Sequence, residues 1–302
     1  MGQKVAIIEK ESLGGICLNW GCIPTKALLK SAQVFNYIKH AEDYGITVKS
    51  SNVAFDKVVE RSRGVAEGMS KGVQFLLKKN KIDVIMGYGK LKPGKRIEVT
   101  DDKGGIKEVK AKNIIVATGA RARALPSLPI DGKAVIDYRK AMVMEKIPGE
   151  MVIVGAGAIG VEFAYFYNSM GSKVTIVEFM DRLVPNEDAD VSKELAKSLK
   201  KQGIEVMTSA AVQNAKAGKS KVRLVVDKKG ESIKMETDVV LSAVGIAPNV
   251  ENIGLEQLGV ELEKGRIKVD DYYKTNVQGI YAIGDVVHGP ALAHVASAEG
   301  II

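Results

Sequence analysis

A chain of 302 residues, 46% of them hydrophobic, is long enough to bury more than one core, and about two domains is the expectation from length. Its net charge of +8 comes from lysines scattered among acids such as Glu9, Glu11, Asp101, Asp102, Glu187 and Asp188. With no continuous basic stripe and interleaved aromatics, nucleic acid is not an expected partner. No apolar run reaches bilayer-spanning length and the N-terminus has no signal-peptide core, so no membrane partner is expected and the cytoplasm is the expected location.

In chain order, Lys4-Val5-Ala6-Ile7-Ile8-Glu9 reads as a strand that ends in an acid. Gly14-Gly15 and then Cys17-Leu18-Asn19-Trp20-Gly21-Cys22-Ile23-Pro24-Thr25-Lys26 follow, and this stretch holds the only two cysteines of the chain. A continuous helix would set residues i and i+5 roughly 8–9 Å apart at Cα and on divergent faces. A disulfide tolerates only ~4.4–6.8 Å, so pairing requires a bend, which Gly21 permits. Pro24 suits the first turn of a helix running on through Lys26-Ala27-Leu28-Leu29. That helix places Cys22 at a positive end, where a thiolate is favoured. Three readings stand: a metal site, a structural disulfide and a redox pair. Only His40, His288 and His294 could complete a zinc site, and a chain with its own core needs no staple, so no metal is expected and redox exchange is favoured.

The segment resembles the active-site disulfide of the flavin-dependent pyridine nucleotide–disulfide oxidoreductases, and among them it is most similar to the dihydrolipoamide dehydrogenases. The resemblance implies a Cys17–Cys22 disulfide, with Cys17 as the interchange thiol and Cys22 as the thiolate against a flavin. It implies FAD and NAD as cofactors, and it carries FAD contacts onto Glu9, Lys10, Gly14, Gly15, Cys17, Lys26, Gly89, Thr118 and Gly119.

Beyond the cysteines, a helical stretch runs through His40, Val58 and Leu76, and Arg96-Ile97-Glu98-Val99 reads as a hairpin element. Ile114-Ile115-Val116-Ala117-Thr118-Gly119 is a strand closing on glycine. Met151-Val152-Ile153-Val154-Gly155-Ala156-Gly157-Ala158-Ile159-Gly160 then gives a strand, a G-x-G-x-x-G turn and the start of a helix continuing through Val161-Glu162-Phe163-Ala164. Alone this pattern is weak. Lys173-Val174-Thr175-Ile176-Val177 supplies the next strand, however, and Glu178 stands about where the fingerprint acid falls, about 20 residues on. The glycines let backbone approach a pyrophosphate at the helix N-terminus. Glu178 can accept from a ribose diol and would repel a 2′-phosphate, which favours NAD over NADP. NAD contacts are expected at Gly155, Gly157, Ala158, Ile159, Gly160, Glu162, Glu178, Val212 and Gly245.

The two anchors form an internal repeat. Lys4–Glu9 parallels Lys173–Glu178, and Ile114–Gly119 parallels Val239-Val240-Leu241-Ser242-Ala243-Val244-Gly245; the first copy is longer, and the cysteine segment and the helical stretch after it occupy much of the excess. Val222-Arg223-Leu224-Val225-Val226 is a second hairpin element. Thr275-Asn276-Val277-Gln278-Gly279-Ile280-Tyr281-Ala282-Ile283-Gly284-Asp285 reads as a strand ending in Gly-Asp. The resemblance places the flavin's ribityl chain on Asp285, and the flavin ring over Ala291, Leu292, Ala293 and His294. His288 and His294 are expected to pack or to position backbone rather than transfer protons. Lys26 can lie one turn past Cys22, and the resemblance implies that it meets Glu162 where hydride passes.

The expected architecture is therefore α/β, with two dinucleotide-binding (Rossmann-like) domains. An FAD domain at 1–144 and 267–302 is interrupted by an NAD domain at 145–266. The activity the resemblance implies is oxidation of protein-bound dihydrolipoamide with NAD⁺ as acceptor, with the lipoyl domain of a 2-oxoacid dehydrogenase or glycine cleavage complex as partner and a homodimer as the family's working form. Relative to that family, the sequence begins at the second strand, without the first FAD glycine motif, and ends before the dimerisation domain that supplies a His–Glu base. An incomplete form, with weak flavin retention and negligible lipoamide turnover, is the corresponding expectation. A mercuric-type or glutathione-type reductase, or a non-catalytic NAD-binding fragment, are the alternatives; Glu178 disfavours the NADP-dependent glutathione case.

Overall fold

Local sequence sets the element boundaries. The computed structural model describes residues 2–302. It begins with β1 (Ala6–Glu9), α1 (Gly15–Trp20), α2 (Cys22–Lys39) and α3 (Phe55–Lys79). Strands β2 (Asp83–Met86), β3 (Tyr88–Lys92), β4 (Arg96–Thr100), β5 (Ile106–Lys110), β6 (Ile114–Val116), β7 (Ala120–Ala122) and β8 (Val135–Ile136) lead to the short α4 (Tyr138–Ala141). Then come β9 (Glu150–Val154), α5 (Ala158–Met170), β10 (Lys173–Val177), α6 (Ala189–Lys201) and β11 (Glu205–Met207). The chain continues with β12 (Ala210–Ala217), β13 (Val222–Lys228), β14 (Glu231–Thr237), β15 (Val239–Ser242) and β16 (Ile246–Pro248). It closes with β17 (Leu262–Glu263), β18 (Arg266–Ile267), β19 (Ile280–Ala282) and α7 (Ala293–Glu299).

These elements gather into two units. One comprises the chain up to Asn19, Glu67–Arg121 and Ile246–Ile302; the other comprises Trp20–Ala66 and Ala122–Gly245. The second is built on a parallel sheet in the order β11-β10-β9-β15-β8. Continuous apolar runs suit such a sheet because both its faces are covered, and Ile153, Ile176, Val177, Val240 and Leu241 are fully buried. On α5, Phe163, Ala164 and Tyr167 are buried too, and the Tyr167 hydroxyl donates to Ala141 O at 2.5 Å. Burial pushes that phenol well above its ordinary titration range. The antiparallel sheet β12-β13-β14 packs Val212, Val222, Leu224 and Val226 with Val152, Val154, Val177 and Val240 of the parallel sheet, so the hairpin expected at Val222–Val226 is present.

In the first unit β1 pairs in parallel with β2, and β6 in parallel with β19. The antiparallel sheet β3-β4-β5 contains the other expected hairpin element, Arg96–Val99. Leu91, Ile114, Val116, Ile253, Ile267, Ile280 and Ala282 form its core. Among the described residues no helix is long and apolar enough to cross a membrane.

Candidate active site

The helix breaks where the sequence says it should. α1 stops at Trp20, Gly21 is the N-cap of α2, and Thr25 N–H donates to Gly21 O at 3.1 Å, closing the first turn of α2 around Pro24. Cys22 is consequently the first residue of an eighteen-residue helix, at its positive end. Cys17 and Cys22 are both disulfide-bonded, and as the only two cysteines of the chain they are bonded to each other. Cys17 is half-buried and Cys22 exposed. The intervening Asn19 is buried, its amide nitrogen donating to Leu13 O and Gly15 O at 2.9 Å each.

One turn past Cys22, Lys26 Nζ donates to Glu162 Oε1 at 2.5 Å. These residues lie 136 positions apart in sequence, and the packing of α2 on α5 brings them together.

The glycine turn after β9 shows why each glycine is needed. Gly155 has φ +102°, and a Cβ there would lie 2.4 Å from Ala243 O. A Cβ on Gly160 would lie 2.0 Å from Gly155 O, so the helix can approach the strand only without one. Gly157, by contrast, caps α5 with no side-chain hydrogen bond to the first-turn amides, and a Cβ on it would meet nothing within 4 Å. Uncapped amides at a positive helix end, with open space in front of them, suit a pyrophosphate. Ala158 and Ile159 lie in that first turn. Glu178 ends β10 as a buried carboxylate, with Oε2 accepting from Ala156 N–H and Oε1 from Met180 N–H. Val212 lies where β12 breaks register, and Gly245 O accepts from Arg123 N–H.

The residues expected at FAD lie in the first unit, except Lys26. Glu9 ends β1 as Glu178 ends β10, its Oε1 accepting from Glu11 N–H at 2.7 Å and Ser12 N–H at 3.3 Å. Lys10 follows it, exposed, and Gly14, just before α1, and Gly15, its first residue, carry positive φ. Gly89 packs on Ile8, where a Cβ would come within 3.2 Å of the side chain. Thr118 Oγ donates to Asn249 O at 2.6 Å, and Gly119 O accepts from Asn249 N–H. Gly284 N–H donates to Glu299 Oε2 at 2.6 Å, while Arg266 donates to the backbone oxygens of Asp285 and Val287. The Asp285 carboxyl is raised above its ordinary value by burial, with the Glu299 charge adding and Arg266 opposing. Ala291, Leu292, Ala293 and His294 form the exposed entry to α7. His288 Nε2 lies 2.9 Å from Glu263 O and 3.6 Å from Glu263 Oε2.

Sequence reasoning missed Glu299 and Arg266, which hold the Gly-Asp turn, and Arg121, which forks onto Glu251 at 2.8 and 3.0 Å and caps Pro248 O. It also missed Arg63 and Arg139, whose guanidiniums lie 4.1 and 5.2 Å from the Trp20 ring centroid. Trp20 was legible as part of the cysteine segment, but its arginine neighbours come from α3 and α4 with no local signal.

The chain thus joins a disulfide at a helix start to a glycine turn of the dinucleotide-binding type. The family model for pyridine nucleotide-disulphide oxidoreductases matches residues 1–300, and the chain belongs to that family. Enzymes of the family use FAD and NAD. The chain is 45% identical over its whole length to a dihydrolipoyl dehydrogenase of Zymomonas mobilis, spanning 65% of that relative's length. It is 45% identical over 99% of its length to a dihydrolipoyl dehydrogenase of Acholeplasma laidlawii, of which it spans 88%. In structure it is similar to LpdA from Mycobacterium tuberculosis, with a TM-score of 0.92 and 28% identity over 99% of this chain and 65% of that one.

Proposed function

We propose that this chain carries the redox disulfide and the nucleotide sites of a dihydrolipoamide dehydrogenase, a cytoplasmic homodimer that oxidises the lipoyl domain of a 2-oxoacid dehydrogenase or glycine cleavage complex and reduces NAD⁺. Its domains are an FAD-binding domain at 1–144 and 267–302 and an NAD-binding domain at 145–266. The observation that carries the reading is the Cys17–Cys22 bond at the start of α2, with the Lys26–Glu162 pair one turn on.

In the proposed reaction a dihydrolipoyl thiolate attacks Cys17 Sγ and breaks the bond to Cys22, which leaves as a thiolate favoured by its helix N-terminus. The second dihydrolipoyl thiol displaces Cys17, closing the lipoyl disulfide and returning a Cys17 thiol. The substrate has lost two electrons and two protons. Bound FAD supplies the relay that passes this electron pair to the nicotinamide as hydride. Asp285 and Glu9, with Gly14, Gly15, Gly89, Thr118, Gly119 and the Ala291–His294 backbone, would hold the flavin nucleotide. Gly155–Gly160, Glu178, Val212 and Gly245 would hold NAD. The Gly157 cap, open in front and free of a side-chain bond, fits a dinucleotide.

The test is nicotinamide reduction in the presence of FAD, with dihydrolipoamide or glutathione as reductant and NAD⁺ or NADP⁺ as acceptor. Dihydrolipoamide with NAD⁺ is expected to be the fastest of the four pairs, however low the absolute rate. Faster turnover with glutathione, or with NADP⁺, overturns the reading.

A further inference from the structure

The four residues between Cys17 and Cys22 are pinned at two successive positions, Asn19 and Trp20. Asn19 is tied back to Leu13 and Gly15 by its side-chain amide, and Ser70 Oγ donates to the same Leu13 oxygen at 2.9 Å. Trp20 is gripped from elsewhere in the sequence. The Arg63 guanidinium lies 4.1 Å from its ring centroid and the Arg139 guanidinium 5.2 Å. Both arginines stand on helices, Arg63 within α3 and Arg139 within α4, whose N-cap Asp137 accepts from Lys140 N–H at 3.0 Å. Two like charges converge there, and Arg63 is held below its usual value by burial and then by Arg139. The electron-rich indole face offsets that repulsion through cation–π attraction.

Neither anchor passes through the sulfur–sulfur bond, so both persist when it opens. This matters because two thiols held in register re-close as an effectively unimolecular step, with effective molarities reaching about 10⁵–10⁸ M in well-oriented systems. Trp20 precedes Gly21, the N-cap of α2 with no side chain to hold it, and without an anchor there the loop could swing Cys22 away from Cys17.

We propose that Trp20, clamped by Arg63 and Arg139, is the positioning residue that keeps Cys22 within reach of Cys17 while the disulfide is open. The proposal rests on the redox reading of the pair, and its test is independent of lipoyl substrate and of either cofactor. The 302-residue chain is equilibrated in dithiothreitol redox buffers, where reduction of the Cys17–Cys22 bond to two thiols is balanced by oxidation of dithiothreitol to its cyclic disulfide. The closed fraction is then read by alkylation and mass spectrometry. Trp20→Ala is expected to shift the equilibrium about tenfold toward the open dithiol, a loss of about 1.4 kcal/mol of closure. Trp20→Phe, which keeps an aromatic face, should recover most of it. Arg139→Gln should shift it in the same direction by a smaller factor and guards against failure of Trp20→Ala to fold. Melting temperatures are measured alongside, because a purely structural role would lower them without moving the equilibrium. An unchanged equilibrium in both Trp20→Ala and Arg139→Gln overturns the proposal and leaves the proposed activity untouched, whereas absence of lipoamide turnover leaves this result standing.

Discussion

Glu178 Oε2 accepts a hydrogen bond from Ala156 N–H at 2.6 Å, tying the acid that ends β10 to the turn that ends β9. Its other oxygen accepts from Met180 N–H at 2.7 Å. Both oxygens of the carboxylate are therefore held by backbone amides, one in the turn after β9 and one just past β10.

From this comes the first prediction. NADH should bind more tightly than NADPH by at least about tenfold, or about 1.4 kcal/mol, because a 2′-phosphate would meet a buried anion. Glu178→Gln should narrow the gap. Glu178→Ala should also cost about 1–3 kcal/mol of stability by leaving two amides unpaired. Calorimetric titration with both nucleotides and thermal melts check this, and equal or tighter NADPH binding to the unmodified chain contradicts it.

The second prediction separates two neighbouring glycines. Gly160→Ala should destabilise by about 1–3 kcal/mol, because the new methyl meets the Gly155 carbonyl and the helix must shift. Gly157→Ala meets nothing, so stability should stay within about 1 kcal/mol of the parent. Its methyl would intrude on the space before the α5 amides and weaken NADH binding. Melting curves and NADH titrations on both variants decide; a Gly157→Ala protein that binds NADH normally would remove that turn from the nucleotide site.

Asp285 yields a pH prediction with a definite sign. Burial, with Glu299 adding, raises its native value above that of the unfolded chain, so the folded state holds this proton more tightly. Stability contributed by Asp285 is then lost as pH rises from the ordinary carboxylate value, about 3.9, through the raised native one. Asp285→Asn should be more stable than the parent at about pH 7, and the difference should close toward about pH 3, where both side chains are neutral. Thermal melts across that range test it. A difference that widens on acidification would show the sign to be wrong.

How much of this was legible in sequence follows from how local each signal is. The break at Gly21, the start of α2 at Cys22 and the β9-turn-α5-β10 unit rest on glycine, proline and apolar runs that act within a few residues, and they appear where the pattern puts them. The hydrogen bond from Asn36 to Ser169 spans 133 positions and that from Gly284 to Glu299 joins a turn to a later helix. Neither residue type announces such a partner, since Asn, Ser and Glu on helices are ordinarily solvated. The arginines on Trp20 are hidden for the same reason. Glu178 lay between these cases: its position was readable from spacing, but its two backbone bonds were not.

The last prediction concerns Lys26 and Glu162, which meet at 2.5 Å with side chains 63% and 27% exposed. An exposed ion pair contributes about 0–1 kcal/mol to stability, so Lys26→Met and Glu162→Gln should melt close to the parent. If the pair serves electron transfer, the same variants should lose far more in function than in stability. With FAD supplied, the rate at which NADH reduces the Cys17–Cys22 disulfide, followed by thiol alkylation, should fall by at least about tenfold, corresponding to about 1.4 kcal/mol of barrier. The double variant should lose little more than either single one, because residues acting as a unit are not additive. Additive losses would indicate separate roles, and a large drop in melting temperature with an unaltered rate would make the pair a structural clasp between α2 and α5.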